Sequence, residues 1–204
     1  MFLVVVGLCS TTVVSVDGDV CIGIVEYLFV VFGVFGVCEG VVIAVDGPEI
    51  PLVDGCAAAF FDALVLSGAE PSFPRYCVTR PMTVRVSDSV YEFSLVSGIC
   101  VEVEVDFGDA RLARHAAWDG TAADFRCCIV GVRTFGFERE IPDLARCGLA
   151  SHVGSESVVV ICEDRIFSAG PEFMLDEPAR YKLLDFVGDI YVYGGFFEGW
   201  FVAI

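Results

Sequence analysis

The residues best suited to chemistry lie near the end of the chain, on one face of a predicted helix. Tyr181, Asp185 and Asp189 follow one another at intervals of one helical turn, and Lys182, the only lysine of the chain, lies beside them. One interpretation is a solvated helix face, since Lys182 and Asp185 have the spacing of a modest surface ion pair. The other is a site where one cation and two carboxylates converge.

A further candidate is Glu26, an isolated carboxylate inside the apolar run 20–37. Burial among apolar side chains raises the pKa of a carboxyl group, as general acid–base catalysis can require. The alternative is a buried structural glutamate that hydrogen-bonds to the backbone or to Lys182. Residue type alone leaves both open.

Composition narrows the class of protein. The 204 residues carry a net charge of −17, which argues against a nucleic-acid partner because binding to phosphates depends on Lys and Arg. Hydrophobic residues make up 56% of the chain and the mean hydropathy is +0.72, so a globular core or a membrane protein remains. Run 20–37 is nearly long enough to span a bilayer, but Glu26 in its middle favours a buried helix and no integral membrane span.

The ten cysteines give no metal or redox motif, because none forms a C-x-x-C pair. Most lie inside apolar runs, where a free cysteine behaves as a small buried hydrophobe. The apolar start of the chain lacks the basic segment and the cleavage site of a secretory signal. We therefore expect reduced thiols in a cytoplasmic protein.

Hydrophobic periodicity predicts a mixture of helices and strands. The predicted helices cover residues 20–37, 57–66, 123–132, 143–147 and 177–193, the last with Asp176 as its N-cap. The predicted strands cover residues 13–16, 41–45, 83–86, 90–96, 101–107 and 157–162. Strict alternation in 101–107 indicates an antiparallel strand with one packed face and one solvated acidic face.

Three separated segments resemble the signature of one bacterial family. They are 41–58 (VVIAVDGPEIPLVDGCAA), 132–139 (VRTFGFER) and 176–189 (DEPARYKLLDFVGD). The family is the zinc-dependent UDP-3-O-acyl-N-acetylglucosamine deacetylases, and weaker similarity runs from about Leu8 to Ala203. The resemblance implies a cytoplasmic bacterial hydrolase that removes the N-acetyl group from UDP-3-O-acyl-N-acetylglucosamine, the committed step of lipid A synthesis.

The resemblance also implies roles for residues at matching positions. Glu26 matches the general base, and Thr134 matches a residue that contacts the zinc-bound water or the oxyanion. Lys182 matches a lysine near the substrate's anionic groups, and Phe135 joins Thr134 and Lys182 in the implied substrate site. Asp189 matches an aspartate that orients a distal catalytic histidine, which in the family lies beyond the position of the last residue here.

The implied zinc ligands are altered in this sequence. Asp185 matches the carboxylate ligand, but Tyr27 and Tyr181 stand where the family has histidines. A neutral phenol with a pKa of about 10 is a poor Zn²⁺ ligand, and two phenolates with an aspartate would favour a harder ion. The alternative function is therefore a degenerate, non-catalytic relative that keeps the fold and the groove for the sugar nucleotide and its acyl chain.

The implied fold is α+β, a two-domain, two-layer α/β sandwich with the site between the domains. We place a first domain at 1–70, expected to be incomplete at its N-terminus, and a second at 71–204, expected to be truncated at its C-terminus. Residues 71–74 are the candidate linker. Segment 143–165 resembles the part of the family that builds a hydrophobic passage for the acyl chain.

Overall fold

The computed structural model describes residues 2–6, 11–15, 20–70, 75–146, 158–168 and 170–204. The helices in these ranges are α1 Glu26–Phe35, α2 Ala58–Ser67, α3 Ala122–Cys128, α4 Ile141–Arg146 and α5 Glu177–Tyr191, with a 3-10 turn at Glu138–Glu140. The strands are β1 Phe2–Val6, β2 Thr11–Ser15, β3 Cys21–Gly23, β4 Arg75–Cys77, β5 Met82–Val86, β6 Ser89–Ser94, β7 Ile99–Glu104, β8 His115–Trp118, β9 Thr134–Phe137, β10 Val158–Ile161, β11 Ile166–Phe167 and β12 Phe196–Ala203. This mixture of helices and sheets agrees with the predicted α+β class.

The described strands form three sheets. Strands β1, β2 and β3 make an antiparallel sheet, and β10 pairs in parallel with β9 and antiparallel with β11. The largest sheet has the order β5-β6-β12-β7-β8, with β4 also paired to β12. Its centre is β12, which runs parallel to β7 and antiparallel to β6.

The hydrophobic core lies between one face of this large sheet and helices α1, α3 and α5. Phe201, Val101 and Trp118 are cross-strand partners on that face, and all three are buried. Val103 is also buried, whereas Glu104 is exposed, so the predicted alternation is confirmed. The strand is shorter than the predicted 101–107, since it ends at Glu104, and it runs antiparallel to β8 but parallel to β12. The same apolar cluster contains Tyr27 and Phe61, which precede residue 70 in the chain, so it draws on both sides of the proposed domain boundary. That boundary stays a prediction, and residues 71–74 lie outside the described ranges.

Two predicted elements in the first 50 residues are corrected. The run 20–37 is not one helix, because β3 pairs with β2 and Ile24 has a φ of 57° before α1 begins at Glu26. Segment 41–45 is not a buried strand: it has no strand pairing, and Val42 is 95% exposed. Apolar β-branched residues favour a strand locally, but a strand forms only where a neighbour pairs with it.

The α5 helix begins where the sequence predicts but without the predicted cap. The Asp176 side chain makes no capping hydrogen bond to the backbone; instead it forms an ion pair with Arg180, one turn on, at 2.6 Å. The predicted helix 57–66 is confirmed as α2, and Gly68 follows it in the left-handed conformation. None of the helices in the described ranges is both long and apolar enough to cross a bilayer.

The cysteines are less uniformly buried than their apolar surroundings predict. Eight cysteines fall in the described ranges, and all eight are free thiols. Cys56 and Cys162 are buried, but Cys21, Cys77 and Cys127 are exposed. The expectation of buried thiols is therefore wrong for these three, since an apolar stretch at a sheet edge or a helix surface still has one solvated face.

A small prediction concerns the start of α3. The Thr121 hydroxyl accepts a hydrogen bond from the Asp124 backbone N–H at 3.1 Å, which caps the helix. Replacing Thr121 by alanine should lower the free energy of unfolding by about 1 kcal/mol. Urea denaturation measures this, with Ser97→Ala in an exposed turn as the control. Equal stability of the two variants would contradict the capping role.

Candidate active site

The candidate site is built where helices α1 and α5 cross. Gly188 of α5 packs against the first residue of α1, so closely that a Cβ at position 188 would lie 2.6 Å from the Glu26 carbonyl oxygen. The absence of a side chain at Gly188 therefore sets the distance between the helices. Glu26 itself is buried at this contact.

Two tyrosines face each other beside this crossing. Tyr27 is 1% exposed and Tyr181 is 7% exposed, and the Tyr27 hydroxyl donates a hydrogen bond to the Tyr181 hydroxyl at 3.1 Å. Burial raises the pKa of both phenols well above 10. Nearby Asp185 raises both pKa values further, so the pair is neutral at physiological pH.

Lys182 and Asp185 form the ion pair that their spacing predicts. The Lys182 Nζ lies 3.1 Å from Asp185 Oδ2, while Asp185 Oδ1 is buried and accepts no hydrogen bond from the described residues. Burial raises the pKa of Asp185 to about 6, against the opposing effect of the Lys182 ammonium group. A carboxylate with one satisfied and one orphaned oxygen retains an open acceptor position.

Strand β9 closes the other side of the site. The Phe135 ring packs edge-on against Tyr181 at 5.8 Å, and Lys182 Nζ lies 5.8 Å from the centre of the Phe135 ring. The Thr134 side chain lowers the pKa of both Tyr27 and Tyr181 by hydrogen bonding, which places its hydroxyl beside the two phenols. Cation–π contact and ring packing therefore hold Lys182 against β9.

A buried ion pair, which the sequence analysis missed, fixes β9 relative to α5. Arg133 directly precedes β9, and Glu177 is the first residue of α5; their side chains are 7% and 4% exposed. Glu177 Oε1 accepts hydrogen bonds from the Arg133 backbone N–H and from Nε, and Oε2 accepts one from Nη2. The only sequence signal is that Arg133 lies in motif segment 132–139 and Glu177 in segment 176–189, which does not reveal that the two side chains meet.

A groove of 270 Å³ runs along the polar face of α5. Lys182, Asp185 and Asp189 line it, together with Tyr91 of β6. Tyr91 stacks on Phe186 with the rings 5.9 Å apart. The predicted polar arc is thus only partly solvated, because Tyr181 is buried while Lys182 is exposed.

The structure brings the sequence-predicted site residues into one neighbourhood. They comprise Glu26 and Tyr27 of α1, Thr134 and Phe135 of β9, and Tyr181, Lys182, Asp185 and Asp189 of α5. Residues from three elements, far apart in the chain, therefore lie close together, and those of α5 line an open groove. Their chemical roles remain predictions.

A larger cavity, of 600 Å³, lies at the far end of β9. Its lining is mainly charged and includes Asp109, Arg111, Glu138 and Arg139. The Arg111 guanidinium holds the pKa of Asp109 at about 2. Nearby apolar side chains of the segment predicted to form an acyl passage, such as Ile161, pack into a small second core. Residues 147–157 of that segment lie outside the described ranges, and the passage stays a prediction.

The donor set at the site does not suit zinc. Zinc in proteins is held by Cys, His, Asp and Glu, and the described residues contain no group of three or more of these that could hold a metal ion. His115 lies on β8, exposed and 3.5 Å from Glu102, and position 152 is outside the described ranges. Here the two implied ligand positions hold neutral phenols that hydrogen-bond to each other.

Comparison with known proteins assigns the chain to a family. The family model described as LpxC, UDP-3-O-acyl N-acetylglycosamine deacetylase, matches residues 3–204. The UDP-3-O-acyl-N-acetylglucosamine deacetylase of Shewanella piezotolerans is 34% identical over 199 residues, covering 95% of this chain and 64% of the relative. The protein of the same name from Shewanella oneidensis is 34% identical over 193 residues, covering 92% of this chain and 63% of the relative.

The chain therefore spans less than two thirds of the length of these relatives. The match nevertheless extends over nearly all of its own sequence and includes the three motif segments, Glu26 and every other residue of the site. This chain belongs to the UDP-3-O-acyl N-acetylglycosamine deacetylase family.

Proposed function

We propose that this chain acts on UDP-3-O-acyl-N-acetylglucosamine and removes its N-acetyl group, in lipid A synthesis in the bacterial cytoplasm. The observation that carries the proposal is that α5 lines one groove with Lys182, Asp185 and Asp189 and packs against buried Glu26 of α1 and Thr134 of β9, in a chain of this family. The free thiols of the described residues fit a reducing compartment.

The proposed chemistry is hydrolysis of an amide. Water adds to the acetyl carbon, the C–N bond breaks, and acetate and the free sugar amine leave. Such a reaction needs a base for water, stabilisation of the negative charge that develops on the amide oxygen, and a proton for the departing amine.

The residues of the site can be given these tasks. Glu26 would accept the proton of the attacking water, and Thr134 and Lys182 would face the oxyanion as hydroxyl and ammonium donors. Asp189, which lines the groove, would orient the proton donor for the amine, which by the family resemblance is the distal catalytic histidine. The phenols at positions 27 and 181 do not suit zinc, so these tasks are assigned to the side chains alone.

A second candidate is favoured by the hydrogen bond between Tyr27 and Tyr181. In this alternative the chain keeps the fold and the substrate groove but lacks turnover. The two candidates share binding of the nucleotide sugar and differ in the release of acetate. Incubating the purified chain with UDP-3-O-acyl-N-acetylglucosamine and quantifying acetate separates them directly. Release that depends on Glu26, lost in Glu26→Gln, supports deacetylation; binding without release supports the alternative.

Substrate binding itself should depend on Lys182. Replacing Lys182 by methionine removes the only lysine, whose ammonium group faces the groove, and should weaken substrate binding about tenfold, since a half-exposed charge contributes modestly. Isothermal titration calorimetry with the substrate measures the loss. The matched control is Arg126→Met, an exposed cation on α3 that pairs with Asp62. Equal affinity of both variants would contradict a substrate contact at Lys182.

A further inference from the structure

The feature of the site that differs most from the ligand set of a zinc hydrolase is the buried tyrosine pair. Tyr27 and Tyr181 lie on different helices, 154 residues apart in sequence, and their hydroxyls are 3.1 Å apart. Their rings have centroids 6.1 Å apart, and Phe135 packs against Tyr181. Both rings belong to the main hydrophobic core, which holds the pair in place.

The surrounding backbone has the spacing of a three-ligand metal site. Tyr181 and Asp185 lie one helical turn apart on α5, an i, i+4 arrangement that lets two side chains bind one ion. Tyr27 of α1 points at the Tyr181 hydroxyl and supplies the third position. Three ligands and one open position are what a catalytic zinc site needs.

The side chains at these three positions do not suit zinc binding. A neutral imidazole binds zinc through a lone pair, whereas a phenol must first lose its proton. Here the Tyr27 hydroxyl donates a hydrogen bond to the Tyr181 oxygen, and Asp185 Oδ2 forms an ion pair with the Lys182 ammonium group. Any zinc ion would have to displace both interactions and leave two phenolates beside Asp185 and near Glu26 and Asp189.

We infer that the Tyr27–Tyr181 hydrogen bond takes the place of zinc in this chain, and that the two phenols are what prevents zinc from binding between α1 and α5. The site is a metal-free polar cluster whose backbone would accept zinc if imidazoles replaced the phenols. This inference rests on the side chains of the site and not on the proposed reaction, which is tested separately by acetate release.

The test compares four proteins: the wild type, the double variant Tyr27→His/Tyr181→His, the same variant with Asp185→Asn, and Tyr27→Phe/Tyr181→Phe. Each is loaded with excess zinc sulfate, dialysed, and analysed for zinc by mass spectrometry. Circular dichroism checks that each variant is folded. The phenylalanine variant controls for loss of the phenols without gain of imidazoles, and the asparagine variant tests whether bound zinc needs Asp185.

The wild type should retain no more zinc than the phenylalanine variant, and both should retain far less than one zinc per chain. The double histidine variant should retain about one zinc per chain, and Asp185→Asn should abolish it. Stoichiometric zinc in the wild type that is absent from the phenylalanine variant would overturn the inference. A folded double histidine variant without zinc would also overturn it, because the phenols would then not be the obstacle.

If the histidine variants do not fold, a spectroscopic measurement on the wild type still tests whether the two phenols bind zinc. Zinc bound by Tyr27 and Tyr181 would convert phenols to phenolates, which absorb more strongly in the near ultraviolet. Titrating zinc into the wild type at neutral pH should leave this absorbance unchanged. A saturable rise with added zinc, absent from the phenylalanine variant, would show that the phenols do bind the ion.

Discussion

Replacing Glu177 by glutamine should lower the free energy of unfolding by about 3–5 kcal/mol, because it leaves the Arg133 guanidinium buried without its counter-charge. The Glu177 carboxylate accepts three hydrogen bonds from Arg133, and both side chains are almost fully buried. Glutamine keeps the shape but offers one acceptor oxygen and no charge. Urea denaturation monitored by circular dichroism measures the loss.

The matched control for Glu177→Gln is Asp62→Asn. Asp62 pairs with Arg126 at 2.6 Å, but the two side chains are 57% and 58% exposed. An exposed ion pair contributes about 0–1 kcal/mol, so the control should be nearly as stable as the wild type. Similar losses in both variants would contradict the anchoring role of the buried pair.

Replacing Gly188 by alanine should destabilise the protein by about 2–3 kcal/mol, since the new methyl group overpacks the contact between α1 and α5. The methyl group would lie 2.6 Å from the Glu26 carbonyl oxygen and 3.1 Å from Glu26 Cα, both of them backbone atoms. Backbone cannot rotate away as a side chain can, so the helices must separate. Separation should also lengthen the hydrogen bond between Tyr27 and Tyr181.

A glycine at the same interface supplies the control. A methyl group at Gly33 of α1 would meet side-chain atoms of Tyr191 and Val187 at 3.5 and 3.6 Å, which is ordinary contact. Because alanine favours a helix over glycine, Gly33→Ala should be neutral or stabilising by up to about 1 kcal/mol. Thermal denaturation compares the stabilities of the two variants. If Gly188→Ala were as stable as Gly33→Ala, the close contact at Gly188 would be ruled out.

Elements with a strong local pattern were predictable from the sequence. Helices α2 and α5 follow apolar periodicity and end near the predicted residues, and the alternation of β7 gives its buried face correctly. Strand β12 carries no such signal, since Glu198 and Gly199 interrupt its apolar residues. Gly199, with a φ of 156°, is needed where β12 passes Val78, a contact that no local pattern records.

The candidate site, too, was predictable from the sequence only in part. Lys182, Asp185 and Asp189 share a helix face by their spacing alone, and the ion pair of Lys182 with Asp185 was predictable. The placement of Thr134, and the burial of Arg133 with Glu177, depend on how β9 docks against α5. Long-range docking is set by the packing of the whole core, which pairs residues that no periodicity relates.

The amino-acid sequence by itself determined which chemical groups this protein possesses and which of them share a helix face, because residue type and helical geometry are local properties. It also identified the family, through three motifs whose order a chance match would not reproduce. Only the tertiary structure decided that two substituted tyrosines meet as a buried hydrogen-bonded pair, since they come from helices 154 residues apart in the chain. Their meeting requires the close crossing of α1 and α5 at Gly188.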